Sequence, residues 1–172
     1  MKKRILFPLL TYVICAYAQM ATAAADTAAP ILPLKPAELI TYLPPAPKNW
    51  IVTRSTAANI YTTWIETRAE RDFKRPPPPP VAGAPVPVIP APIVTMNVSI
   101  LDTGYMTNFK DMFLPPKAGT LPSNITLLKI NDFPARKQVL DDTTTILSIL
   151  IKDRYVVEIR AKNLSDLSLI HI

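Results

Sequence analysis

The stretch 125–161, ITLLKINDFPARKQVLDDTTTILSILIKDRYVVEIRA, decides the fold. Runs rich in β-branched and apolar residues at 125–130, 135–140, 143–151 and 154–161 are separated by Asn131-Asp132, Asp141-Asp142 and Lys152-Asp153. Short polar pairs between β-prone runs mark hairpins, because Asn and Asp tolerate the left-handed backbone that tight turns require. In the last run Tyr155, Val157, Ile159 and Ala161 alternate with a set that holds Arg154, Glu158 and Arg160. That alternation predicts an antiparallel sheet with one dry and one wet face, and it places Arg154 on the wet one.

Working outward, Val94, Met96, Val98 and Ile100 alternate with Thr95, Asn97 and Ser99, which predicts a strand over 94–101. Asp102 or Thr103 is then placed to cap a helix reaching about Phe113, with Tyr105, Phe109, Met112 and Phe113 near helical spacing and Pro115-Pro116 as terminator. Residues 59–73 fit both periods; their Thr, Ile, Tyr and Trp content favours strand. A first strand is expected at 51–54 and a short helix at 37–43, stopped by Pro44-Pro45. Asn163 and Ser165 read as caps of a C-terminal helix whose body is cut off. The expected architecture is α+β: a curved antiparallel sheet of about six strands with one or two helices on one face. It occupies a single domain over 37–166, preceded by an extended leader at 26–36.

One segment interrupts that domain. Residues 75–92, RPPPPPVAGAPVPVIPAP, hold nine of the chain's 20 prolines. Proline cannot donate to a ladder, so this stretch is expected to leave the sheet as a polyproline II excursion between two neighbouring strands. Arg75 with Pro76, Pro77, Pro78, Pro79 and Pro80 is the candidate docking element for a proline-reading envelope partner, weighed against an inserted loop of no consequence.

The beginning of the chain reads as an address. Lys2, Lys3 and Arg4 precede an apolar run, and Ala23-Ala24-Ala25 offers small residues for a signal peptidase. Cleavage before Asp26 is expected, giving a periplasmic or secreted product with no stable membrane insertion. Tyr12, Val13 and Ile14 are too bulky for a lipidation site at Cys15, so the single cysteine leaves with the signal. Loss of the three basic residues takes 19 Lys and Arg to 16 against 13 Asp and Glu, a net of +3. That charge is too weak to argue for nucleic acid. Residues 167–172, LSLIHI, match the translation of a transposon-end sequencing adapter and are expected to be a non-native tail, which would make His171 foreign too.

With 3 glycines, one cysteine and one histidine in 172 residues, zinc clusters, Cys or Ser/His nucleophiles and glycine-rich phosphate loops lack their parts. No cofactor and no metal site is expected. Asp141 and Asp142 have no further carboxylate nearby and read as a solvated turn. Trp50 and Trp64 could stack a ring ligand but read as core, and so do Met96, Met106 and Met112.

The motifs LPPAPKNW, AERDF, VTMNVSILDTG, LLKINDFPARKQVL and LSILIKDRYVVEIRAKNLSD occur in an order that resembles a group of small uncharacterised exported proteins of Gram-negative bacteria. The layout is also reminiscent of PsbP/Mog-type folds. The resemblance implies an antiparallel-sheet domain and brings no catalytic residues with it. One chemical pattern stands apart: Ile100-Leu101-Asp102-Thr103-Gly104 is similar to the active-site loop of aspartic proteases, where two carboxylates share a proton to activate water. A single copy would require a homodimer. The expected function is a non-enzymatic envelope protein acting by binding or assembly; the alternative is a dimeric aspartic-protease-like hydrolase with Asp102 as its catalytic group.

Overall fold

The structure, a computed structural model, describes residues 32–61, 65–77, 92–104, 108–116 and 119–164. It is dominated by one open, wholly antiparallel sheet. The strands are β1 (Ile51–Tyr61), β2 (Ile65–Arg75), β3 (Val94–Asp102), β4 (Ile125–Ile130), β5 (Phe133–Val139), β6 (Thr144–Ile151) and β7 (Tyr155–Lys162). They lie in the order β1-β2-β3-β7-β6-β5-β4. Two meanders, β1 to β3 and β4 to β7, therefore meet where β3 pairs with β7 in the middle of the sheet.

The C-terminal meander follows the sequence pattern closely. Asn131 and Asp132 take φ of 46° and 68°, the left-handed pair of a two-residue hairpin. Residues 94–101 form most of β3, as alternation demands. Three expectations need correction. Residues 59–73 are not one strand: they end β1 and begin β2, and Tyr61 pairs with Ile65 across a hairpin. Nothing in Thr62-Thr63-Trp64 carries the Gly, Pro or Asn chemistry that signals a turn. The expected first strand at 51–54 runs on to Tyr61 as β1, and the sheet has seven strands where about six were expected. The helix expected to run to Phe113 is, among the described residues, a single turn, α2 (Asn108–Asp111). The sheet thus outweighs helix far more than an α+β reading implies, and the other described helix, α1 (Pro36–Leu39), is also one turn, continued by a 3-10 turn at Ile40–Tyr42. The strand expected from 154 starts one residue later, and Arg154 sits in the turn.

Register shows which side chains share a face. Ala69, Phe73, Met96, Val98, Ile100, Tyr155, Val157, Ala161, Leu147, Ile149, Ile151 and Ala135 all lie on the inner face and form one buried cluster with Leu39 and Leu43. Leu39 and Leu43 come from the segment before β1, a strap whose α1 lies against β1 and β2. Arg71, on the inner face of β2, donates from Nη1 to the carbonyls of Leu43 (3.1 Å) and Pro44 (2.7 Å). Those carbonyls need an outside donor because Leu43, at ψ of 135°, has already left the 3-10 turn for extended backbone.

The opposite face over β1, β2 and β3 is polar. Arg54 forms ion pairs with Glu70 (2.6 Å) and Asp72 (2.7 Å), and Asn97 donates to the other Asp72 oxygen. The wet face predicted for β7 holds for Glu158 and Arg160, which pair loosely at 3.8 Å. The proline-rich insert joins β2 to β3, neighbouring antiparallel strands as expected, since Arg75 pairs with Val94. Residues 78–91 of it, the signal segment and everything from 165 onward, including the expected C-terminal helix and the tail, lie outside the described residues.

Candidate functional site

Asp102 is the last residue of β3 and is fully buried. On β7 its register partner is Tyr155, and the chain enters β7 through the turn Lys152-Asp153-Arg154. Lys152 and Asp153 take φ of 52° and 54°, and the Arg154 N–H closes the turn on the Ile151 carbonyl at 3.2 Å. Ile151 pairs directly with Tyr155, so Arg154 is set outside the ladder. Freed from strict alternation, its side chain turns into the protein instead of toward the wet face.

There the guanidinium meets the Asp102 carboxylate edge to edge. Nε donates to Oδ1 and Nη2 to Oδ2, both at 2.8 Å. The Gly104 N–H adds a bond to Oδ1 at 3.0 Å and the Leu34 N–H one to Oδ2 at 2.8 Å. Each carboxylate oxygen thus accepts two hydrogen bonds, the full complement of an ionised aspartate. Gly104 takes φ of 61°, which bends the backbone back over Oδ1 and suits a residue without Cβ. Thr103 Oγ1 donates to the Arg154 carbonyl at 2.7 Å, and Arg154 Nη2 also donates to the Leu32 carbonyl at 3.1 Å. The Arg154 guanidinium carbon lies 4.9 Å from the centre of the Tyr155 ring.

The Asp-Thr-Gly pattern therefore lies at the junction of β3, the β6–β7 turn and the N-terminal strap. Its expected role as a helix cap is corrected: Gly104 takes φ of 61°, so the residue that would be second in the helix is not helical, and Asp102 bonds Arg154 instead. What sequence reasoning missed was Arg154, 52 positions away. The one available signal was an Arg directly after a polar turn pair, where an extra loop residue escapes alternation.

Tyr155 is almost fully buried beside this pair. Burial first, and the Asp102 carboxylate second, push its hydroxyl up to about 12 from an ordinary 10.0, with Arg154 opposing. Below pH 10 Tyr155 is neutral in both folded and unfolded chains. Between pH 10 and 12 the unfolded chain has released the proton while the folded one retains it, so stability falls across that window. The expected loss is about 2–3 kcal/mol by pH 12. Urea midpoints recorded from pH 8 to 12 should decline more steeply for wild type than for Tyr155→Phe; parallel curves would refute the assignment.

The other sequence candidates are dispersed. Arg75, Pro76 and Pro77 are exposed at the end of β2, while Pro78, Pro79 and Pro80 lie outside the described residues. Asp141 is fully exposed, and its carboxylate is held below the usual range by the Thr143 hydroxyl and N–H. Among the described residues no three His, Cys, Asp or Glu side chains are grouped to hold a metal ion. Trp50 packs against the core from partly buried ground, and Trp64 and Met106 lie outside the described residues. Met96 is core, but Met112, expected to pack, is 47% exposed because the short turn after α2 buries Phe113 instead. Comparison with protein-family models, curated proteins and solved structures returns no match.

Proposed function

We propose that the chain is an exported envelope protein that acts by binding or assembly and not by catalysis. The observation that carries this reading is the occupation of Asp102. A carboxylate that activates water needs a free lone pair facing a substrate cleft. Asp102 is buried, and its oxygens are taken up by Arg154, Gly104 and Leu34, so its chemistry is spent on fastening the strap to the sheet. The basic, apolar and alanine-rich start of the chain supports export, and the proline run beside Arg75 supports a role in docking. Among the described residues no helix is long and apolar enough to cross a membrane, a statement that concerns helices alone.

Two measurements test the reading. Expressed in a Gram-negative host, the chain should be recovered from the periplasm shortened at its N-terminus by residues 1–25; a full-length cytosolic product would refute export. The purified protein should leave unfolded protein substrates intact from pH 3 to 6. Hydrolysis blocked by a statine-type transition-state analogue would establish the aspartic-protease alternative.

A further inference from the structure

Among the described residues both edges of the sheet are open, and they differ. β4 is six residues long, carries Lys129 and ends near Asn124, whose side chain bonds the Val139 carbonyl of its neighbour. Edge strands of that kind, short and charged, are protected against further pairing. β1 has eleven residues, almost all exposed on both faces, and no Pro or Lys. Its only irregularity is a bulge between Val52 and Arg54. Its only charge, Arg54, is neutralised within the subunit by Glu70 and Asp72. From Arg54 to Tyr61 the strand pairs regularly with β2, which leaves the alternate N–H and C=O groups on its other side without a partner strand among the described residues.

We propose that β1 pairs with β1 of a second copy, antiparallel and about a two-fold axis at Ala57, joining two seven-stranded sheets edge to edge. A two-fold interface must be self-complementary, and opposed residues on antiparallel strands share a face. The register centred on Ala57 pairs the regular run from Arg54 to Ile60 with itself. It sets Ala57 against itself, Thr56 against Ala58, Ser55 against Asn59 and Arg54 against Ile60. Small residues occupy the centre, so the backbones can approach, and no like charges oppose one another. The polar Ser55–Asn59 pair falls on the inner face, while the Arg54 stem lies along Ile60 on the outer one. A second copy suits this edge because two-fold pairing is self-matching, and here it brings small residues together at the axis and sets the one charged residue against an apolar one. The inference concerns the sheet edge alone and does not depend on export or on the role of Asp102.

Sedimentation of the purified chain over a wide concentration range should reveal a monomer–dimer equilibrium. Two variants at exposed positions separate the register from general stickiness. Thr56→Lys with Ala58→Lys opposes like charges twice across the axis and should weaken the dimer about tenfold. Thr56→Lys with Ala58→Glu opposes unlike charges twice and should tighten it by a similar factor. In each case thermal melting confirms that the fold is retained. A monomer at every concentration, open-ended polymers, or a dimer indifferent to both variants would overturn the proposal.

Discussion

Replacing Asp102 with asparagine is expected to lower the stability of the protein by about 3–5 kcal/mol, the usual loss when one partner of a buried ion pair is removed. The isosteric change keeps the volume and removes the charge. An amide also turns one acceptor oxygen into a donor, yet the environment offers only N–H groups: Nε and Nη2 of Arg154, and the backbone of Gly104 and Leu34. Whichever way the amide is turned, two donors face a donor, and the guanidinium remains buried without its counter-charge. Adding Arg154→Met removes that stranded charge. A buried pair exchanged for apolar groups is often neutral, but here it is not expected to be. The Leu32 carbonyl would lose its donor, and the amide's one oxygen can serve the Leu34 or the Gly104 N–H but leaves the other facing an NH2, so the double variant should recover only part of the loss. Urea unfolding of the two single variants and the double variant measures this directly. A loss under about 1 kcal/mol for Asp102→Asn would show that the pair does not hold the fold.

Why this site could not be read from the sequence, while the sheet around it could, follows from where each is encoded. β4 to β7 are written locally: alternation sets the faces, and polar residues able to adopt positive φ set the turns, so Asn131-Asp132 announces its hairpin. The β1–β2 hairpin has no such announcement between Tyr61 and Ile65. Two strands then look like one, because β-propensity continues unbroken through Thr62, Thr63 and Trp64. The helix expected after Asp102 is, among the described residues, the single turn α2, for a different reason. Its aromatic and Met spacing resembled an amphipathic face, but of Met112, Phe113 and Leu114 only Phe113 is buried, too little burial to carry the helix on to Phe113. Arg154 is the instructive residue. Period-two counting assumes a residue is in the ladder, and a three-residue turn takes it out. The link to Asp102 then reaches back over β4, β5 and β6, and no local rule connects positions so far apart.

The strap before β1 is the second place where a single change should matter most. The helix α1 holds four residues, has Lys35 at its N-cap without a side-chain hydrogen bond, and is too short to persist alone. What keeps it in place is contact with the sheet: Leu39 is fully buried in the main cluster, Leu43 nearly so, and Tyr42, Ile40 and Leu34 pack at its margin. The strap is also tied down at both ends, by Asp102 and Arg154 near Leu34 and Leu32, and by Arg71 at Leu43 and Pro44. Leu39→Ala is therefore expected to cost about 3 kcal/mol, since a strap held at two points cannot collapse into the space vacated by the side chain. Leu32→Ala, at a residue 76% exposed on the same segment, should change stability by less than about 0.5 kcal/mol. If the strap is the lid of the core, Leu39→Ala should also increase binding of a hydrophobic dye under native conditions, because loosening it uncovers Ala69 and Phe73. Equal, small effects from the two leucine variants, with no gain in dye binding, would mean that the inner face is closed by something other than this strap.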